Sequence, residues 1–83
     1  MFLVIDLNGN RNATTKKFNK ALSFVQRALN EEGKTVGQAV EYFNRKGTLT
    51  RVLVYPFEGV SAEFEIVVAD KIKDKEFNNE LGL

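Results

Sequence analysis

The side chains able to do chemistry in this 83-residue chain are carboxylates, amines and guanidinium groups, because it contains no histidine and no cysteine. Without histidine, the side chain best suited to proton transfer near neutral pH is missing. Without cysteine there are no disulfides, no thiol nucleophile and none of the common zinc ligand sets. What remains is scattered: Asp6 late in an apolar run, and the alternating pair Glu63 and Glu65. Alternation puts both glutamates on one side of a strand, where they could share a cation. That pattern more commonly forms the wet side of a sheet. Catalysis needs convergent groups with tuned pKa values, and none converge here. The sequence therefore reads as a non-enzyme with no catalytic residue, no metal ligand set and no cofactor.

Asp6 is followed by Leu7-Asn8-Gly9-Asn10. This segment resembles the first-strand Asp and turn of sugar-kinase-like ATPases, and Asp6 resembles the first-strand Asp of ribonuclease H-like nucleases. The resemblance covers five residues. Both families use much longer chains with further acidic groups, so neither activity is carried over. The turn has a single Gly and no phosphate-loop pattern, which argues against a nucleotide site.

The second chemical resource is charge. Lys+Arg number 12 and Asp+Glu 11, giving a formal +1, yet the two signs are not mixed evenly. Residues 8–52 hold nine basic and three acidic groups, and residues 53–83 hold three and seven. Arg11, Lys16, Lys17, Lys20 and Arg27, with Phe24 on a flank, form a candidate nucleic-acid-binding set. Basic groups interleaved with an aromatic suit a phosphate backbone with one stacked base. Asn8, Asn10, Asn12, Thr14 and Thr15 add polar groups near the start of the same helix, whose dipole favours an anion. The plain alternative is a solvated helix face with Phe24 at the edge of the core.

These groups need elements to position them. Phe2–Leu7 reads as a strand ended by Asn8-Gly9-Asn10. Residues 14–31 follow a helical period, with Phe18, Ala21, Leu22, Val25, Ala28 and Leu29 on one face and Gly33 as the stop. Thr35-Val36-Gly37-Gln38 has capping-box spacing. Val36, Ala39, Val40 and Phe43 then predict a second helix ending near Gly47, supported by a Glu41–Arg45 pair. Residues 49–56 and 60–69 predict a hairpin with the loop Phe57-Glu58-Gly59. Its register sets Pro56 against Val60, Val52 against Phe64, Val54 against Ala62, Arg51 against Glu65 and Leu53 against Glu63. The tail, residues 70–83, is charged; Phe77 and Leu81 sit four apart, and with Leu83 they suit a lid.

The expected fold is α+β: one small domain over residues 1–83, in the order β-α-α-β-β plus tail, with a three-stranded sheet and both helices on one face. If the first two strands are parallel neighbours, their crossover is right-handed. In that arrangement Leu3, Ile5 and Leu7 face the helices, while Phe2, Val4, Leu53, Tyr55 and Val67 gather on the outer face with Arg51, Glu63 and Glu65. So much apolar surface outside the core needs cover, from the tail, a second copy or a different protein.

No apolar run approaches the roughly 20 residues of a membrane span, and no signal peptide is visible. The sequence thus leads to a small cytoplasmic protein-interaction or regulatory module, of adaptor or inhibitor type. Its partner-binding or homodimer surface would be Phe2, Val4, Leu53, Tyr55 and Val67. The alternative is an accessory protein that binds DNA or RNA through Arg11, Lys16, Lys17, Lys20, Phe24 and Arg27, such as a phage or other mobile element encodes to modulate a nucleic-acid machine.

Overall fold

A computed structural model describes residues 1–9 and 11–69. The expectations for the tail, including the lid residues Phe77, Leu81 and Leu83, lie outside the described residues. The elements run β1 (Phe2–Asp6), β2 (Ala13–Thr15), α1 (Phe18–Glu31), β3 (Val36–Phe43), β4 (Leu49–Pro56) and β5 (Phe64–Val68). The strands form one five-stranded sheet in the order β2-β1-β5-β4-β3, with every neighbouring pair antiparallel. This corrects the expected three-stranded sheet with two helices, and it removes any parallel crossover.

The segment predicted as a second helix is β3. Its apolar positions 36, 39, 40 and 43 fit a helical stripe, but so short a run does not separate helix from strand. Val36, Val40, Tyr42 and Phe43 are β-branched or aromatic and suit a pleated surface. Gly37 would cost a helix interior roughly 1 kcal/mol relative to Ala. The deciding influence is tertiary. β4 has a backbone edge to fill, and β3 fills it from Val36 opposite Pro56 to Phe43 opposite Leu49. Instead of capping a helix, Thr35 accepts a hydrogen bond from the Phe57 N–H at 2.8 Å. At the far end the Asn44 side chain accepts from the N–H groups of Lys46 (2.8 Å) and Thr48 (3.0 Å), and Gly47 takes φ +81. The Asn44–Thr48 stretch is thereby a hairpin turn, with no helical spacing left to pair Glu41 with Arg45.

Gly37 sits where the backbone of Pro56 and Phe57 comes closest to β3. A Cβ there would lie 2.5 Å from the Phe57 Cα and 2.8 Å from the Pro56 carbonyl oxygen. Backbone cannot swing aside as a side chain can. Gly37→Ala is therefore expected to destabilise the fold by ~1–3 kcal/mol, the usual range for overpacking, read as a lowered melting temperature.

Helix α1 is shorter at its start than predicted, since Ala13–Thr15 pairs with β1 as an edge strand. Its end is as expected. Gly33 has φ +77, Lys34 N–H donates to the Leu29 carbonyl at 2.9 Å, and Gly33 N–H donates to the Asn30 carbonyl at 3.0 Å. These are the two bonds of a Schellman cap, for which Gly is favoured.

The β4–β5 register is displaced by two residues from the predicted one. Val52 faces Ile66, Val54 faces Phe64, Arg51 faces Val67 and Leu53 faces Glu65. The three-residue loop gives way to a connection over 57–63, in which Glu58 has φ 62 and Gly59 N–H donates to the Pro56 carbonyl at 2.9 Å. A slip of two keeps every side chain on its own face, because the strand period is two. The core is therefore made of Phe64, Ile66, Val52 and Val54 against Ala21, Val25, Ala28 and Leu29 of α1.

In β1 the assignment of faces is inverted. Val4 is fully buried in that core opposite Ile66, and Phe2 packs on Phe18 with ring centroids 5.4 Å apart. Leu3 and Ile5 lie on the other face, and Leu7 is exposed beyond the strand. The inversion follows from Asp6, which lies on the helix side of the sheet but at its end. There its carboxylate accepts from the Asn8 N–H at 3.0 Å and pairs with Arg11 at 3.4 Å, as a buried charge requires.

Candidate functional site

The sheet face opposite α1 is built from register. One row crosses all strands: Tyr42, Arg51, Val67, Leu3 and Thr14. A second row holds Val40, Leu53, Glu65 and Ile5, and Tyr55 follows beside Gln38. Leu3 and Thr14 are buried; Ile5, Val40, Leu53, Tyr55 and Val67 are half-buried. The only helix of the described residues packs on the opposite face. Polar groups on this face are paired with each other: Arg51 approaches Glu65 at 3.5 Å and lies 4.5 Å above the Tyr42 ring. A guanidinium held over an aromatic is a weakly hydrated, apolar-compatible arrangement.

Three of the five residues predicted for this surface, Leu53, Tyr55 and Val67, are brought together. Phe2 and Val4 are not, for they belong to the helix side, and Val4 has no exposed surface with which to touch a partner. Ile5, Val40 and Tyr42 take their place, beside Leu3, which is buried. The sequence carried a signal for them in the alternation of residues 2–6 and 36–43. The inverted phase of β1 and the helical reading of β3 concealed it.

The basic set is split by the fold. Arg11 is held at the C-terminal end of α1, pairing with Asp6, with Glu31 at 3.1 Å and with Glu32 at 3.2 Å. That removes it from the predicted nucleic-acid face. Phe24 is half-buried and packs on the core cluster, which makes its ring an edge of the core. Lys16 and Lys17 precede the helix and are exposed, Lys20 is half-buried in the first turn, and Arg27 is exposed two turns later.

Glu63 and Glu65 do not converge on a common cation position. Glu65 reaches Arg51, and Glu63, nearly buried, accepts from the Lys34 amine at 2.8 Å. Lys34 also lies 3.8 Å from Glu32, which closes a chain of ion pairs from Asp6 through Arg11 and Glu32 to Glu63. Each carboxylate in it already faces a cation, and among the described residues no group of three or more acidic ligands could hold a metal. The hydrogen bond to Glu63 raises the Lys34 pKa above its ordinary 10.5, with the charges of Glu63 and Glu32 adding to the effect. The amine binds its proton more tightly folded than unfolded. Its contribution to stability is thus complete below pH 10.5 and is lost as pH rises through the folded value. Glu63→Gln is expected to reduce this alkaline loss, checked by denaturation series on both proteins between about pH 9 and 12.

Charge follows the ends of the sheet and not the halves of the chain. At the end where α1 begins lie Lys16, Lys17 and Lys20, with Arg45 and Lys46 in the β3–β4 turn. At the other end lie Asp6, Glu31, Glu32, Glu58 and Glu63 against Arg11 and Lys34. Helix α1 has no acidic residue in its first turn and no basic one in its last, and its N-cap, Lys17, makes no side-chain hydrogen bond. This order opposes the helix dipole. Lys17→Asp would supply both a cap and a favourable charge, and is expected to raise stability by about 1 kcal/mol, or ~4–8 °C in melting temperature for a domain of this size.

Among the described residues, no helix is long and apolar enough to cross a membrane. The chain matches no protein-family model, no curated protein and no solved structure.

Proposed function

We propose that this chain is a small, non-enzymatic, cytoplasmic interaction module of adaptor or inhibitor type, engaging a protein partner through the sheet face opposite α1. The observation that carries this reading is the apolar belt of half-buried Ile5, Val40, Leu53, Tyr55 and Val67 on a face to which the single described helix contributes nothing. A contiguous apolar surface with polar residues already paired among themselves is what a protein interface needs. The partner surface would be correspondingly apolar, with aromatic or aliphatic anchors. The test is affinity capture from the native host with nuclease treatment, comparing the natural chain with Leu53→Asp/Val67→Asp. A protein partner that survives nuclease and is lost with the double variant supports the reading. A partner retained by the double variant contradicts it.

A second reading, binding of DNA or RNA, is favoured by one observation: exposed Lys16 and Lys17 lie at the same end of the sheet as exposed Arg45 and Lys46. It now rests on Lys16, Lys17, Lys20 and Arg27, joined by Arg45 and Lys46, and no longer on Arg11 or Phe24. It requires affinity that falls steeply with salt and is lost when Lys16, Lys17 and Lys20 become Ala, because phosphate contacts release counterions. Binding unchanged by those substitutions would exclude it.

A further inference from the structure

Among the described residues the β3 edge is long and lightly defended, by Glu41 and the register irregularity at its start. It has eight residues, all exposed except half-buried Val40, and carries one charge, Glu41, and no proline. Register irregularities fall at Val36/Gln38 and Tyr42/Phe43, which leaves Gln38–Tyr42 as a regular run. An edge strand presents a row of unpaired backbone N–H and C=O groups, and natural sheets usually blunt such edges with charge, proline or short length. The opposite edge, β2, is blunted by having only three residues.

We infer that two copies of this chain join edge to edge through β3, antiparallel about a two-fold axis, to make one continuous sheet. Register and charge both select this partner. A two-fold axis perpendicular to the sheet requires paired residues to share a face, so the axis passes beside one residue and its own copy. Centred on Glu41, the pairing would oppose two carboxylates. Centred on Ala39, it would set Tyr42 against the irregular Val36. Centred on Val40, it sets valine against valine, Gln38 against Tyr42 and Ala39 against Glu41, and it uses only the regular run. Tyr42 and Phe43, 37% and 57% exposed, gain cover from the other copy.

The antiparallel arrangement also matches the ends. The turn bearing Arg45 and Lys46 in one copy falls beside the net-negative end of the other, where Glu58 and Glu32, the latter paired with Arg11 and Lys34, flank the start of β3. A parallel pairing would bring like ends together. The inference does not rest on the opposite sheet face, with which it shares only Val40, so either proposal can fail alone.

The test exploits the absence of cysteine from the chain. Val40→Cys places one thiol per copy at the axis, where the expected separation suits a disulfide. Under mild oxidation this variant is expected to form covalent dimers at least about tenfold faster than Leu53→Cys on the sheet face or Ser23→Cys on the exposed side of α1. Sedimentation of the natural chain should show a dimer that grows with concentration and weakens with salt. Arg45→Glu/Lys46→Glu, confined to an exposed turn outside the strands, should weaken it by about tenfold. A chain that stays monomeric together with equal oxidation rates at the three positions would overturn the inference. A dimer cross-linked fastest through Leu53→Cys would also overturn it, as would one indifferent to the charge reversal.

Discussion

Phe64→Ala is expected to lower stability by ~3–5 kcal/mol, the range for truncating a buried aromatic. Phe64 is the largest fully buried side chain, and it belongs to the central strand of the sheet. It faces Val54 across the ladder and shares its cluster with Val25 and Leu29 of α1. No neighbour can collapse into the space without parting helix from sheet. Domains of this size hold only about 5–15 kcal/mol in total, and small ones lie near the lower bound. The variant should therefore be largely unfolded at physiological temperature. Urea titration checks this: the midpoint should fall sharply while the slope stays constant.

Val4→Asp is expected to be at least as damaging, while Leu53→Asp leaves the protein folded. Both residues sit mid-strand in neighbouring parts of one sheet, and local sequence alone treats them alike. Val4 is fully enclosed opposite Ile66, so a carboxylate there would have no partner and no water, a cost of several kcal/mol. Leu53 is half-buried on the other face beside Glu65, where a new carboxylate keeps contact with solvent. Circular dichroism and amide exchange on the two variants separate them. Equal tolerance at both positions would mean that the faces of β1 are assigned wrongly.

Much of this was legible before any coordinates. The apolar stripe of α1 and its Gly33 stop follow from period and cap chemistry, and both are found. Val52, Val54, Phe64 and Ile66 face the helix in both the expected and the observed register, since a slip of two keeps each side chain on its face. Two features were illegible for physical reasons. In residues 36–43 local pattern was ambiguous, and a distant edge, β4, decided the outcome. In β1 the sequence shows an Asp inside an apolar strand and invites pointing it at water. The fold buries it instead, because Arg11, five residues on, meets it together with Glu31 and Glu32 at the end of α1. That pairing is long-range and invisible to any window.

The same effect reshaped the candidate sites. A basic front half and an acidic rear half of the chain become a basic end and an acidic end of one sheet, because antiparallel strands return the chain to each end in turn. Arg11 changes role in the process, from a candidate phosphate contact to the centre of an ion-pair chain. The sheet face loses Phe2 and Val4 but gains a continuous row from Tyr42 to Leu3.

The most direct measurement is site-specific photo-cross-linking in the native host, with the reactive group placed in turn at Leu53, Tyr55 and Val67 and, as a control, at Ser23 on the exposed side of α1. The account predicts one discrete protein adduct from the three sheet positions, unaffected by nuclease, and none from Ser23. Adducts from Ser23 alone, or no protein adduct from any sheet position, would contradict it.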